Sequence, residues 1–274
     1  MRTLAPAGMI CVLGDAHLDV IVAISGPVVP DTDTPAQTRV TVGGQAANVA
    51  AWVTALGGRS RLIAALANDA AAALVANDLA RRGVHLVGPV IAGRTGVVVS
   101  LSEGGSHRSM LTDRGVGPFL AGADIRPAWL DGCSWLHLPA YSLTSQPVQA
   151  AAIAGVAAAR ARSARLSIDL SSTAAIAGYG LPAFVDLVRE LRPELVFGNR
   201  AEADLVGALP GTQMITKLGA DGVVVAGQRY AALSTEPADT TGAGDAFAAG
   251  YLVGGVHLGL AAAARAVATM GAMP

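Results

Sequence analysis

"DTTGAGDAFAAGYL", residues 239–252, sets two carboxylates around residues with almost no side chain, then runs into small and apolar residues that read as a helix. Gly242 and Gly244 let backbone N–H groups come close to a ligand. A helix beginning near Ala243 aims its unsatisfied N–H groups and positive dipole end at the same place. Such a turn suits a phosphoryl group in transfer. A carboxylate in the first helical turn would be held ionised by those donors. Asp245 could then accept a proton from an attacking hydroxyl while the backbone stabilises charge on the phosphate. Locally, the same pattern also fits an ordinary strand-to-helix turn with Asp245 as its cap.

The rest of the chain bounds the setting. At 274 residues it can form one large α/β domain or two smaller ones, with 52% hydrophobic and 14% charged residues giving a core-rich composition. Net charge is -1 with no basic block, which argues against a nucleic-acid partner. Cys11 and Cys133 lie in apolar, strand-like contexts without CxxC or Cys/His spacing and are expected to be buried, reduced thiols in a reducing cytoplasm. The apolar stretch in "MRTLAPAGMICVLGD" is too short for a signal sequence, and no run reaches membrane-spanning length, so no membrane partner is expected.

Short β-rich runs alternate with Ala-rich ones. "MICVLGD", "RSRLIAAL", "CSWLHL", "RLSIDL", "ELVFGN", "QMITKLG" and "GVVVAG" read as strands. Residues 45–57, 69–82, 146–162, 182–191 and 243–271 read as helices. This is the βαβ rhythm of a mostly parallel sheet covered by helices on both faces. Two stretches interrupt it, residues 20–44 and 95–115, with alternating β patterns and turn residues but no helix; they predict a small β appendage that closes as a lid or forms a homodimer interface. No repeat or linker divides the chain. Trp52 sits on a helix whose facing the pattern leaves open.

Other nucleotide fingerprints do not fit. A P-loop needs Gly-Lys-Ser/Thr, but the only lysine is Lys217, after Thr216. A Rossmann fingerprint needs G-x-G-x-x-G after an early strand, whereas "GAGDAF" lies late in the chain and ends in Phe.

"DTTGAGDAFAAGYL" resembles the C-terminal signature of the ribokinase-like (PfkB) carbohydrate kinase family. "VGGQAANVAAWVTALGG" resembles its N-terminal signature, "NRAEAD" its N-x-x-E motif, and "ITKLGADGVVV" its nucleotide-binding strand-turn-strand, so the likeness covers essentially the whole chain. It implies a single ribokinase-like domain over 1–274, with lid segments near 20–42 and 95–114. The implied activity is an ATP- and Mg2+-dependent transfer of phosphate to a primary hydroxyl of a sugar or sugar-like molecule.

The resemblance also implies roles. Asp245 would be the base, and Gly242, Ala243 and Gly244 the anion hole over the transferred phosphoryl group. Asn199 and Glu202 would organise magnesium through its waters; a helix-start Asn and Glu is the plainer reading of the same pair. Asp19 would bind the acceptor, since a carboxylate accepts two hydroxyl hydrogen bonds, with Gly43, Gly44 and Asn48 completing that site. A turn-capping Asp is the alternative. "GDAHLDV" is read as the end of the first strand. His17 stands where ribokinase itself has Asn, so the pocket is not shaped for ribose in that way. Arg108 lies in a lid-like strand beside Gly104 and Gly105, reaching substrate or simply solvated. Lys217, Gly219, Gly222 and Thr240 would lie beside the nucleotide. Asp239 and the Thr241 carbonyl match positions that in many relatives bind an activating K+-type cation.

Some features depart from the pattern. Only 14 residues separate Glu202 from Lys217, where relatives fit another helix, and the stretch from Gly222 to Asp239 is also short. "DLSSTAA" stands where many relatives have Asp-x-Asn-x-Arg, leaving no phosphate-contacting arginine after Asp169. A nucleoside kinase of the adenosine or pseudouridine type is the runner-up. A non-catalytic ligand-binding protein keeping the fold is the alternative of another class, opposed by the intact Asp245 and its glycines. A hydride-transferring oxidoreductase comes third.

Overall fold

The computed structural model describes residues 8–102 and 108–274, and the side chain of Arg108 lies outside that description together with Gly104 and Gly105. The first half of the chain builds β1 (Met9–Leu13), β2 (His17–Ala23), β3 (Gln37–Gly43), α1 (Gln45–Ala55), β4 (Ser60–Ile63), β5 (Leu66–Ala67), α2 (Ala70–Arg81), β6 (His85–Val87), β7 (Val90–Ile91), β8 (Thr95–Ser102) and β9 (Arg108–Gly115). The second half adds β10 (Cys133–Pro139), α3 (Val148–Arg160), β11 (Arg165–Asp169), α4 (Thr173–Tyr179), α5 (Leu181–Leu191), β12 (Leu195–Asn199) and α6 (Arg200–Val206). It ends with β13 (Gln213–Lys217), β14 (Val223–Val225), β15 (Gln228–Tyr230), α7 (Ala243–Gly254) and α8 (Val256–Val267).

The large sheet has the order β15-β14-β13-β12-β11-β10-β1-β4-β6. It is parallel from β13 to β6, and β14 and β15 add an antiparallel edge. Strands buried on both faces need apolar residues at every position, and β1 shows the consequence: Ile10 and Val12 enter one layer, Cys11 and Leu13 the other. The first layer contains α1, α7 and α8; the second contains α3 and α5. Cys11 and Cys133 are buried, unbridged thiols, as their apolar contexts predict. Among the described residues no helix is long and apolar enough to cross a membrane.

A separate four-stranded sheet, β3-β2-β8-β9, accounts for the two helix-free stretches. It pairs β2 with β8 in parallel and is otherwise antiparallel, and it leaves Val40, Met110 and Leu111 exposed.

Two expectations are corrected. Residues 243–271 form two helices rather than one, because Gly255 at φ 82° breaks the chain and α8 folds back along α7. "GDAHLDV" does not end the first strand: β1 stops at Leu13, and His17 and Asp19 already belong to β2 of the smaller sheet. The short α4, β5, β6, β7 and β15 have too few residues to display a period and were not legible.

Sheet order reverses around β1, flanked by β10 and β4. Ligands in open α/β sheets bind beyond the carboxyl ends of the strands at such a reversal. Asp15 follows β1, and Asp169, Asn199 and Lys217 end β11, β12 and β13.

Candidate active site

The turn before α7 is held by Gly242, at φ 74° and without a side-chain cap. A Cβ there would stand 2.6 Å from the Ala272 carbonyl oxygen, so the C-terminal turn closes on this glycine and only glycine fits. Asp245 occupies the third position of α7. Asn48 Nδ2 of α1 donates to Asp245 Oδ2 at 2.8 Å, and the Gln45 side chain also hydrogen-bonds this carboxyl. The sequence predicts an Asp245 held ionised by helix donors, and the structure corrects this. Desolvation pushes its pKa up to about 7, helped by the nearby charge of Asp169 and opposed by Asn48, Lys217 and Gln45.

Lys217 reaches the same turn from β13. A Cβ at Gly244 would lie 3.1 Å from Lys217 Nζ, so the ammonium rests against the backbone of the α7 N-terminus. Lys217 Nζ donates to Asp169 Oδ2 at 2.6 Å, and Asp169 is only 1% exposed. Burial works against the ammonium charge, but attraction to Asp169, the hydrogen bond to it, and Asp245 and Glu202 outweigh burial and raise the Lys217 pKa. Gly219 and Gly222 form the turn after β13, where Leu218 N donates to the Gly222 carbonyl at 2.8 Å.

Asn199 and Glu202 cap α6 reciprocally: Asn199 Oδ1 accepts from Glu202 N at 2.9 Å and Glu202 Oε2 accepts from Asn199 N at 2.8 Å. Glu202 is buried, and burial raises its pKa. Among the described residues no group of three or more His, Cys, Asp or Glu side chains could hold a metal by itself. Asp239 is buried; its Oδ1 accepts from Thr241 N and Oγ1 at 2.9 and 2.6 Å, and its Oδ2 from Gly271 N at 3.0 Å. Thr240 is exposed beside it.

On the other side of Asp245, Gly43 ends β3 and Gly44 caps α1. A Cβ at Gly43 would stand 2.1 Å from Asp19 Oδ2, so the carboxylate lies directly on this glycine. His17 Nδ1 lies 3.1 Å from Asp19 Oδ1, within ion-pair distance, though among the described residues neither atom has hydrogen-bond geometry with a partner. Among the described residues, Asn48 Oδ1 and Gln45 Oε1 are likewise buried without hydrogen-bond partners. The structure thus gathers Asp19, His17, Gly43, Gly44 and Asn48 around the approach to Asp245.

Four contributors escape sequence reading. Gln45 lies inside the quoted "VGGQAAN" but carries no charge to draw notice. Asp169 attracts attention only through the arginine that does not follow it. Asp15 and Arg114 form a two-pronged ion pair at 2.7 and 3.1 Å that ties the end of β9 to the strand after which Asp15 comes. Their separation of 99 residues hides it.

The pfkB family carbohydrate kinase profile matches residues 7–273. A fructokinase of Escherichia coli is 30% identical over 273 residues, covering 91% of this chain and 85% of that one. Adenosine kinase from Sinorhizobium meliloti superposes with a TM-score of 0.86 at 23% identity, over 98% of this chain and 96% of its own. An Escherichia coli protein assigned as Ribokinase II, solved with ATP and Mg2+, superposes at 0.83 with 20% identity over 96% and 94%. The chain belongs to the pfkB family of carbohydrate kinases and is an ATP-dependent phosphotransferase with the ribokinase-like fold.

Proposed function

We propose that the acceptor is a primary hydroxyl of a sugar or sugar-like small molecule and that Asp245 is the base. The observation that carries this is a carboxyl with a pKa near 7, bonded by Asn48, at the head of an uncapped helix against which a buried ammonium rests. A base poised near neutral pH is matched to removing a hydroxyl proton in the transition state.

The acceptor oxygen attacks the γ-phosphorus, the bond from that phosphorus to the β-phosphate oxygen breaks, and ADP leaves. The hydroxyl proton goes to the Asp245 carboxylate and then to solvent. The N–H groups of Ala243 and Gly244 at the α7 turn, with Lys217, offset charge on the phosphoryl oxygens. Asp19 accepts hydrogen bonds from acceptor hydroxyls, and His17, Gly43, Gly44 and Asn48 shape that side. Asn199 and Glu202, a pair already bonded to each other, would hold Mg2+ through its waters, and the ion would supply neutralisation of the phosphate charge. Gly219, Gly222 and Thr240 border the nucleotide. Asp239 and the Thr241 carbonyl would hold a K+-type ion, a reading supported by the way Asp239 draws Thr241 and Gly271 together. The β3-β2-β8-β9 sheet, which carries Asp19, acts as a lid with Arg108 in it, a homodimer through the same strands being the competing arrangement. The cytoplasm is the expected compartment.

The test is ADP release by the purified protein across sugars and nucleosides, with fructose first because a fructokinase is 30% identical. Turnover with a sugar and none with nucleosides is expected. Turnover with nucleosides alone moves the acceptor class, and stabilisation by a ligand without turnover makes the chain a binding protein.

A further inference from the structure

Lys217 is the only lysine in the chain, and among the described residues its ammonium is the one cation that acts on Asp245. It is held by a carboxylate buried to 1% exposure, and that carboxylate is fixed in turn: Ser171 N donates to Asp169 Oδ1 at 3.0 Å while Oδ2 takes the ammonium at 2.6 Å. Buried ion pairs contribute little net stability, because desolvation of both charges offsets their attraction. A pair at the carboxyl ends of β11 and β13, against the α7 turn, therefore calls for another reason. Ser171 and Thr173, which follow Asp169, bring no cation to this edge.

Resting on the kinase reading above, we propose that Asp169 is a positioning residue that stores the Lys217 ammonium over Gly244, from where it passes to the transferred phosphoryl group of ATP. Before ATP arrives, Asp169 is the carboxylate that bonds and neutralises the buried ammonium. When the terminal phosphate enters the turn, its oxygens compete for the same N–H donors. Lys217 then bridges Asp169 and the phosphoryl group, fixed in direction by the carboxylate behind it. Glu202 and Asp245 also attract Lys217, so the ammonium is the shared counter-charge of three carboxyl groups.

The variants separate storage from attraction. Lys217→Met should weaken ATP binding at least tenfold and ADP binding less than threefold, measured by calorimetric titration with Mg2+ and no acceptor. Lys217→Arg should restore most of the ATP affinity. Asp169→Asn keeps the side-chain shape but removes the competing anion. It should leave ATP affinity equal or tighter while lowering kcat at least tenfold once an acceptor is in hand. The acid limb of kcat/KM should move to lower pH in Asp169→Asn, which removes a negative neighbour of Asp245, and to higher pH in Lys217→Met, which removes a positive one. Equal loss of ATP and ADP affinity in Lys217→Met overturns the proposal, because the ammonium would then serve the nucleotide in general. So does Asp169→Asn that loses ATP affinity and melting temperature together with kcat unchanged. The titrations stand even if no acceptor is turned over, so failure of this proposal and failure of the kinase reading are told apart.

Discussion

Replacing Asp245 by Asn should nearly abolish turnover and make the protein more stable at alkaline pH. The carboxyl is raised from 3.8 to about 7, chiefly by desolvation. A folded-state value above the unfolded one means that the folded protein binds more protons between about pH 4 and pH 7, so the wild type loses stability as pH rises through that window. At about 1.4 kcal/mol per unit, a shift of this size costs the wild type up to about 4 kcal/mol at pH 8. Two features reduce the gain in the variant. Asp245 keeps some solvent exposure, and Lys217 loses one of the anions that hold its charge. A net gain of about 1 to 2 kcal/mol is expected, seen as a melting point a few degrees above wild type at pH 8 that converges with it near pH 4. The amide oxygen introduced by Asp245→Asn still accepts from Asn48, so acceptor binding should stay within a few-fold while the rate falls by about 10² to 10⁴. Melting curves in matched buffers and ADP release on the same preparations check both halves. A variant less stable than wild type at pH 8 refutes the desolvation argument, and retention of more than about a tenth of the rate removes Asp245 from the chemistry.

Asp19→Ala should cost on the order of 2 to 4 kcal/mol in kcat/KM for the acceptor with ATP affinity unchanged, because two buried hydrogen bonds are lost; equal weakening of both substrates in steady-state kinetics would make Asp19 structural. Gly242→Ala combines a φ of 74° with a Cβ placed against the Ala272 backbone, and calorimetry should show a loss of about 2 kcal/mol or more. Acceptor binding should protect amides in residues 20–42 and 95–102 from hydrogen exchange more than ATP does. Protection present without ligand and dependent on protein concentration would favour the homodimer instead.

The parts of the site that the sequence discloses are those where chemistry demands glycine. "GGQAAN" and "TTGAGD" announce themselves because a ligand or a neighbouring carboxylate must lie on bare backbone, as Asp19 lies on Gly43. Paired partners far apart in the chain do not: Lys217 and Asp169 are 48 residues apart and Arg114 and Asp15 99, and neither spacing carries a local signal. Trp52 was undirected for another reason. Residues Ala46–Val53 of α1 are all buried, so the helix lacks the polar face from which an orientation is read. The "NRAE" motif was legible twice over, as a cap and as a magnesium pair, and the structure displays the cap.

The burial of α1 has a functional side. One end of this helix carries Gln45 and Asn48, which bond Asp245; one turn further on, Trp52 Nε1 donates to the Ala272 carbonyl at 2.9 Å. Ala272 is the residue that presses on Gly242, and its neighbour Gly271 donates to Asp239, which fixes Thr241. The turn that opens α7 is therefore gripped from the front by Asn48 and from behind by a C-terminal turn that hangs from the same helix. A helix enclosed between the sheet and α7 cannot shift one grip without the other, since interiors are packed too closely to deform piecemeal. The acceptor contacts proposed at Gly44 and Asn48 would thus share a rigid element with the proposed anion turn, and the order of α1 would set how accurately the proposed base meets the phosphate.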